Sequence, residues 1–199
     1  MLDCKDLYQQ HVVKHANNFI KVMLSPTELS NIVSIATSIV EEKEKETAHK
    51  KDGLSSLKRF INGLKGEMAV SKYLKIPIIN PSAGVSIDFD SPDIPGFNVG
   101  VKTVEYEHFP VIPKENTYPQ IICICHPTSN NIVYICGLAD VNTLNTYQHS
   151  DLILDPNLKA KGTKTGFWGF FQLKEVSKDA IEPYKLPEEM EDSNLESVE

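Results

Sequence analysis

The chain contains almost no arginine. Of its 20 basic residues, 19 are lysines and only Arg59 is an arginine. Arginine is the side chain that most often reads guanine edges, through a pair of parallel hydrogen bonds. The composition therefore excludes arginine-based reading of a base sequence as a major recognition device.

Long apolar runs are also missing, since no stretch of 18 consecutive apolar residues occurs in the chain. A membrane-spanning helix needs about 20 such residues, so we expect no membrane partner. A signal peptide is not recognisable, and together with only four cysteines this favours a reducing, cytoplasmic setting. The sequence also lacks a P-loop and a dinucleotide-binding glycine pattern.

Negative charge is concentrated at the C-terminal end. The net charge is −7, but residues 182–199 alone carry seven acidic residues against one lysine. This segment has no apolar periodicity, which is typical of a disordered acidic tail. The rest of the chain is nearly neutral, so the net charge does not exclude a nucleic-acid partner.

The predicted elements change from helical to strand-rich along the chain. Helices are predicted over 5–24, over 25–50 and over 54–74, and the second begins with a capping box formed by Ser25 and Glu28. Short strands are predicted at 85–89, 97–106, 120–126, 131–137 and 167–173, with a weak helix at 139–147.

This order predicts an α/β (α+β) fold, in which helices flank a mixed central β-sheet. We divide the chain into an N-terminal helical extension (1–52), a central domain (53–181) and the acidic tail (182–199).

Glu67 is unusual because it falls on the apolar stripe of the third helix. Leu57, Phe60, Leu64 and Met68 recur there at the spacing of a core-facing surface. Burying an isolated carboxylate is very unfavourable. Glu67 therefore either lies at the edge of the stripe and reaches water, or is paired or bound to a ligand.

Segment 85–106 is interpreted as two alternating strands joined by a turn. Asp88 and Asp90 share one face of the first strand. If the turn is centred on residues 93–95, Asp88 lies opposite Gly100 or Lys102 on the second strand. Asp88 and Lys102 are then neighbours, as a structural ion pair or as parts of a site.

Two carboxylates and a lysine suit metal-assisted hydrolysis of a phosphodiester. Hard oxygen ligands hold Mg²⁺, which stabilises charge on the phosphate. The lysine can position the attacking water or help to deprotonate it. Glu67, Asp88 and Lys102 are therefore the candidate catalytic residues.

These motifs resemble the PD-(D/E)xK, or restriction-endonuclease-like, superfamily of nucleases. "GLKGEMAVSKYL" contains Glu67, "SIDFD" contains Asp88 and "VGVKT" contains Lys102, and the resemblance covers about residues 55–175. It implies a restriction-endonuclease-like core and a Mg²⁺- or Mn²⁺-dependent endonuclease that hydrolyses DNA, with Glu67 and Asp88 as metal ligands and Lys102 as the catalytic lysine. A homodimer is compatible with it.

One position departs from the family pattern, because Gly100 stands where an acid is expected two residues before the lysine. In one explanation, Glu67 and Asp88 suffice together with the backbone carbonyl of Val101. In another, a different acid has moved into the site. In the third, the protein is an inactive nuclease-fold module that acts in nucleic-acid binding or protein assembly.

Three nearby acids are candidates to replace the missing one. Asp90 is the best candidate, because it shares a face with Asp88. Glu105 lies an odd number of residues from Lys102 and should point to the other face, unless a bulge intervenes. Asp93 follows Pro92 and so matches the family name literally, but we expect it at the tip of the turn, away from Lys102.

Weaker candidates lie further along the chain. Lys159, Lys161 and Lys164 could contact phosphates, although a solvated loop is the commoner structure, and the aromatic residues at 167–171 are expected to be mostly core. Gln120 is a weak candidate for a polar contact with the site.

Histidines and cysteines give only weak metal signals. His108 and His126 could approach the site if their strands are adjacent. The sequence "CICH" at 123–126 and the pair His11 and His15 could bind a metal, but a buried strand and a surface pair are favoured.

Overall fold

The computed structural model describes residues 4–45, 53–76, 93–94 and 96–183. The helices are α1 (Cys4–His11), α2 (Pro26–Lys45), α3 (Gly53–Leu74), α4 (Val141–Thr146) and α5 (Pro156–Ala160). The strands are β1 (Ile20–Met23), β2 (Gly100–Val104), β3 (Val111–Pro113), β4 (Gln120–Cys125), β5 (Ile132–Ala139), β6 (Gln148–His149) and β7 (Lys164–Phe167).

The larger sheet has the strand order β1-β5-β4-β2. Strands β2 and β4 run parallel, whereas β4 and β1 both run antiparallel to β5. Strands β3, β7 and β6 form a smaller antiparallel sheet. Helices together with a mixed four-stranded sheet confirm the predicted α/β (α+β) class at this level.

Each face of the larger sheet packs against a different apolar cluster. Val101 packs with Val70 of α3 on one face. Ile122 packs with Phe167 of the smaller sheet on the other face. Because side chains alternate along a strand, Lys102 lies on the face that is turned toward the smaller sheet.

Helix α3 approaches β2 closely at Gly66. A Cβ atom at this position would overlap with the Thr103 hydroxyl, so a larger residue would push the helix away from the strand. The close approach brings the next helical residue, Glu67, to β2.

The capping box predicted at the start of α2 is confirmed. The Glu28 backbone N–H donates to Ser25 Oγ at 3.2 Å, and the Ser25 N–H donates to the Glu28 carboxylate at 2.5 Å. The same carboxylate pairs with Lys72 of α3 at 2.9 Å. These contacts fix α2 against α3.

The helix predicted over 5–24 is wrong in its second half. Helix α1 ends at His11, and Ile20–Met23 forms strand β1, which pairs with β5. This pairing buries Val22 in the same core as α3, so tertiary contacts override the weak helical pattern. Segment 4–45 therefore contributes a strand and a helix to the main core.

The strand predicted at 167–173 is only partly present. Strand β7 ends at Phe167, and Phe170–Gln172 form a short 3-10 helix. The strand predicted at 85–89 and nearly all of the acidic tail lie outside the described residues. Among the helices that the structure describes, none has the length and apolar character needed to cross a bilayer.

Candidate active site

Glu67 is a half-buried carboxyl at the contact between α3 and β2. Burial, and after it the negative charge of Asp93, raises the pKa of this carboxyl from 4.5 to about 8, while Lys102 acts in the opposite direction. Glu67 thus belongs to a charged cluster. Glu67 is half-buried at the boundary of the apolar stripe, and its raised pKa favours the protonated carboxyl at neutral pH.

Asp93 is part of this cluster, and the expectation that it lies away from Lys102 was wrong. Its Oδ2 accepts a hydrogen bond from the Val101 N–H at 2.6 Å. Desolvation raises the pKa of its carboxyl, and the Val101 hydrogen bond and Lys102 lower it. Asp93 is exposed to solvent as a whole residue. Its carboxylate nevertheless points toward β2, where it accepts the hydrogen bond from Val101.

The Asp93 hydrogen bond locates the cluster at the outer edge of β2. The Gly100 N–H donates to the Pro119 carbonyl on the β4 side, at 3.0 Å. Since backbone polar groups alternate between the two sides of a strand, the Val101 N–H and carbonyl point away from β4, toward Asp93. The Val101 carbonyl therefore lies on the same side of β2 as the Asp93 carboxylate.

The Lys102 side chain lines a small cleft on the face of the larger sheet that is turned toward the smaller sheet. Glu115, Asn116 and Gln120 line this cleft with it. Lys164, the first residue of β7, is close enough that Lys102 lowers its pKa, although burial is the larger cause. The charge of Lys102 therefore acts on Lys164, which carries the second ammonium group on this side of the sheet.

The other acidic residues predicted as candidates for the site are Asp88, Asp90 and Glu105. Asp88 and Asp90 lie outside the described residues. Glu105 points to the other face, as predicted, where its carboxylate pairs with Lys58 of α3 at 2.8 Å and accepts from Asn62 at 3.2 Å. Glu105 is therefore engaged away from Lys102.

The predicted lysine loop divides into different roles. Lys159 pairs with Asp151 at 2.6 Å, and Lys161 is exposed. Only Lys164 is electrostatically linked to the candidate site.

The histidine and cysteine signals do not lead to the site. His126 Nδ1 accepts the backbone N–H groups of Thr128 and Ser129, and the His108 ring contacts the Tyr106 carbonyl at 3.1 Å. The "CICH" sequence lies in β4 and the turn after it, with Cys123 buried, which confirms the strand interpretation. His11 packs against Trp168, with ring centroids 4.9 Å apart.

The donor set was tested for its fit to Mg²⁺ or Mn²⁺. Glu67 and Asp93 supply two carboxylates in one electrostatic cluster, and carboxylate oxygens are ligands that both ions accept. No group of three His, Cys, Asp or Glu side chains suited to a metal occurs within the described residues. Within that part of the chain, Glu67 and Asp93 are therefore two carboxylate donors without a third such ligand.

Sequence reasoning placed Asp93 away from the cluster that it joins, and it gave Gln120, which lines the cleft with Lys102, only as a weak candidate. The dipeptide Pro92–Asp93 was the available signal for the first. The signal for the second was a single glutamine at the start of the apolar strand "QIICIC".

No family model, curated protein or solved structure matches this chain.

Proposed function

We propose that the chain is a Mg²⁺- or Mn²⁺-dependent endonuclease with a restriction-endonuclease-like core, and that it hydrolyses DNA phosphodiester bonds. The supporting observation is that Asp93 and Lys102, which are distant in sequence from Glu67, both act on the pKa of its carboxyl, and that Lys102 also lowers the pKa of Asp93. With Asp93 in place of Asp88, the literal Pro-Asp dipeptide precedes the lysine strand, as in the resembled family.

The carboxylates of Glu67 and Asp93 would hold the cation, with the Val101 carbonyl on the same side. The cation would supply charge stabilisation for the phosphate. Lys102 positions the attacking water and helps to remove its proton. Hydrolysis of a phosphodiester needs mainly positioning and charge stabilisation from a protein, and this small set of groups supplies both.

The competing function is a nuclease-fold module without catalytic activity. Gly100, in place of the expected acid, favours this alternative. Cleavage of supercoiled plasmid and branched DNA in the presence of Mg²⁺ or Mn²⁺ separates the two functions. We expect nicking that requires the metal and stops with a chelator. DNA binding without cleavage under any of these conditions would favour the inactive module.

Lys164 is expected to contribute to DNA binding rather than to hydrolysis. It is partly buried beside Lys102, and adjacent ammonium groups attract a phosphate. Lys164→Ala should weaken DNA binding several-fold and lower the slope of log affinity against log salt by about 1.

Fluorescence anisotropy with a labelled duplex at several salt concentrations measures this slope. Lys161→Ala is the matched control, because Lys161 is exposed in the same loop. An unchanged slope for Lys164→Ala would remove Lys164 from the interface.

A further inference from the structure

The space beside Gly100 is filled by the side chain of Gln120. The two residues are opposite each other in the parallel pair β2 and β4. A Cβ atom on Gly100 would lie 2.8 Å from Gln120 Cδ and closer still to its Oε1. Gly100 is not among the residues with positive φ, so space, rather than backbone conformation, requires glycine here.

The Gln120 carbonyl oxygen is buried without a partner. Gln120 is only 3% exposed, and its Oε1 accepts no hydrogen bond from the residues that the structure describes. The strand around it is otherwise apolar, since Ile121–Ile124 are all buried. A buried oxygen of this kind is unfavourable unless something binds it.

Gln120 is connected to the proposed centre through Lys102 and Gly100. Gln120 and Lys102 line the same cleft, and Gly100 precedes Val101, whose N–H binds Asp93. Residues two apart share a face of a strand, so an acid at position 100 would project beside Lys102. The Gln120 amide occupies that space instead.

We propose that Gln120 supplies a third ligand for the divalent cation through its Oε1, replacing across the strand pair the acid that is missing at position 100. The proposal rests on the proposed metal-dependent function. Amide carbonyl oxygens are hard ligands like carboxylates, but they carry no net charge. The site would therefore bind the cation with two negative charges instead of three.

The test is the dissociation constant of Mn²⁺, measured by isothermal titration calorimetry. Gln120→Leu keeps most of the side-chain volume and removes the oxygen, so Mn²⁺ binding should weaken about 10-fold or more. Gln120→Glu adds a charge at the same place, so binding should tighten. Gln172→Leu, at an exposed glutamine, is the matched control.

A double variant tests directly whether an acid at position 100 can replace Gln120 as a ligand. Gly100→Asp alone should destabilise the fold, because the new side chain overlaps with Gln120. Gly100→Asp combined with Gln120→Ala makes room for the acid, and Mn²⁺ binding should return at least to the wild-type level. Circular dichroism of each variant checks that it folds.

Two results would overturn the proposal. If Gln120→Leu folds and binds Mn²⁺ like the wild type, Gln120 is not a ligand, while metal-dependent cleavage by the wild type would still support the proposed function. If Gln120→Leu does not fold, Gln120→Glu decides, and an unchanged Mn²⁺ affinity in it rejects the ligand role. Absence of Mn²⁺ binding by the wild type would reject both proposals.

Discussion

Replacing Lys102 by alanine is expected to lower metal-dependent DNA cleavage by at least about 10²- to 10³-fold, the size of effect seen when one charge-stabilising group is removed from an active site. The fold should remain, because Lys102 is only partly buried. Lys102→Met is the more conservative variant, since it keeps the apolar stem and removes only the ammonium group.

Initial rates on supercoiled plasmid, at saturating Mn²⁺, measure this loss. Lys178→Ala, at an exposed lysine outside the cleft, should cleave like the wild type. If both Lys102 variants cleaved at the wild-type rate, Lys102 would have no part in hydrolysis.

The second large effect concerns stability, and it arises from Glu67. Folding raises the pKa of this carboxyl from 4.5 to about 8. The folded state therefore favours the protonated form, and its stabilising contribution is complete below about pH 4.5. This contribution is lost as the pH rises through about 8. Without metal, the wild type should be less stable at pH 8.5 than at pH 5.

Glu67→Gln removes this loss, because an amide does not titrate. In a chelating buffer, the variant should gain a few kcal/mol relative to the wild type between pH 5 and pH 8.5, since a one-unit difference in pKa corresponds to about 1.4 kcal/mol. Urea unfolding at the two pH values gives the free energy of unfolding directly.

With Mn²⁺ present, the wild type should be more stable than Glu67→Gln at pH 8.5, because a cation that binds only the folded wild type stabilises it. Glu105→Gln is the control, since Glu105 pairs with Lys58 of α3 and is not among the charges that shift the pKa of Glu67. Equal pH dependence of stability in the wild type and in Glu67→Gln would show that Glu67 is not in a desolvated, like-charged environment.

Much of the fold was predictable because its signals are local. The capping box at Ser25, the stripe of α3 and the apolar runs of β4 and β5 each specify an element through neighbouring residues. Strand β1 was not predictable in this way. The apolar residues around β1 recur at a weakly helical spacing. The segment is a strand because it pairs with the edge of β5.

The candidate site was also predictable only where the signal lies in neighbouring residues of the sequence. Glu67 became a candidate because a carboxylate on an apolar stripe demands an explanation, and Lys102 because the hairpin interpretation placed it beside Asp88. Asp93 was missed because a symmetric hairpin turn was assumed. The Asp93 carboxylate instead accepts a hydrogen bond from the Val101 N–H, at 2.6 Å. The sequence pattern alone does not predict this contact.

Gln120 illustrates a second limit of sequence reasoning. Gly100 departs from the pattern of the resembled family, and the side chain that fills the space beside it, Gln120, lies 20 residues away on a neighbouring strand, in a position set by the register of β2 against β4. Parallel register between strands that are joined by a long connection is not fixed by a turn. The close approach of Gln120 to Gly100 is therefore visible only in three dimensions.

The central claim is that one divalent cation binds where Glu67 and Asp93 meet beside Lys102. Calorimetric titration of Mn²⁺ into the wild type and into Asp93→Asn tests it most directly, with Asp179→Asn, at an exposed aspartate, as the control. We predict saturable binding to the wild type and the control, and loss of binding in Asp93→Asn. Equal binding by Asp93→Asn and the wild type would contradict the claim.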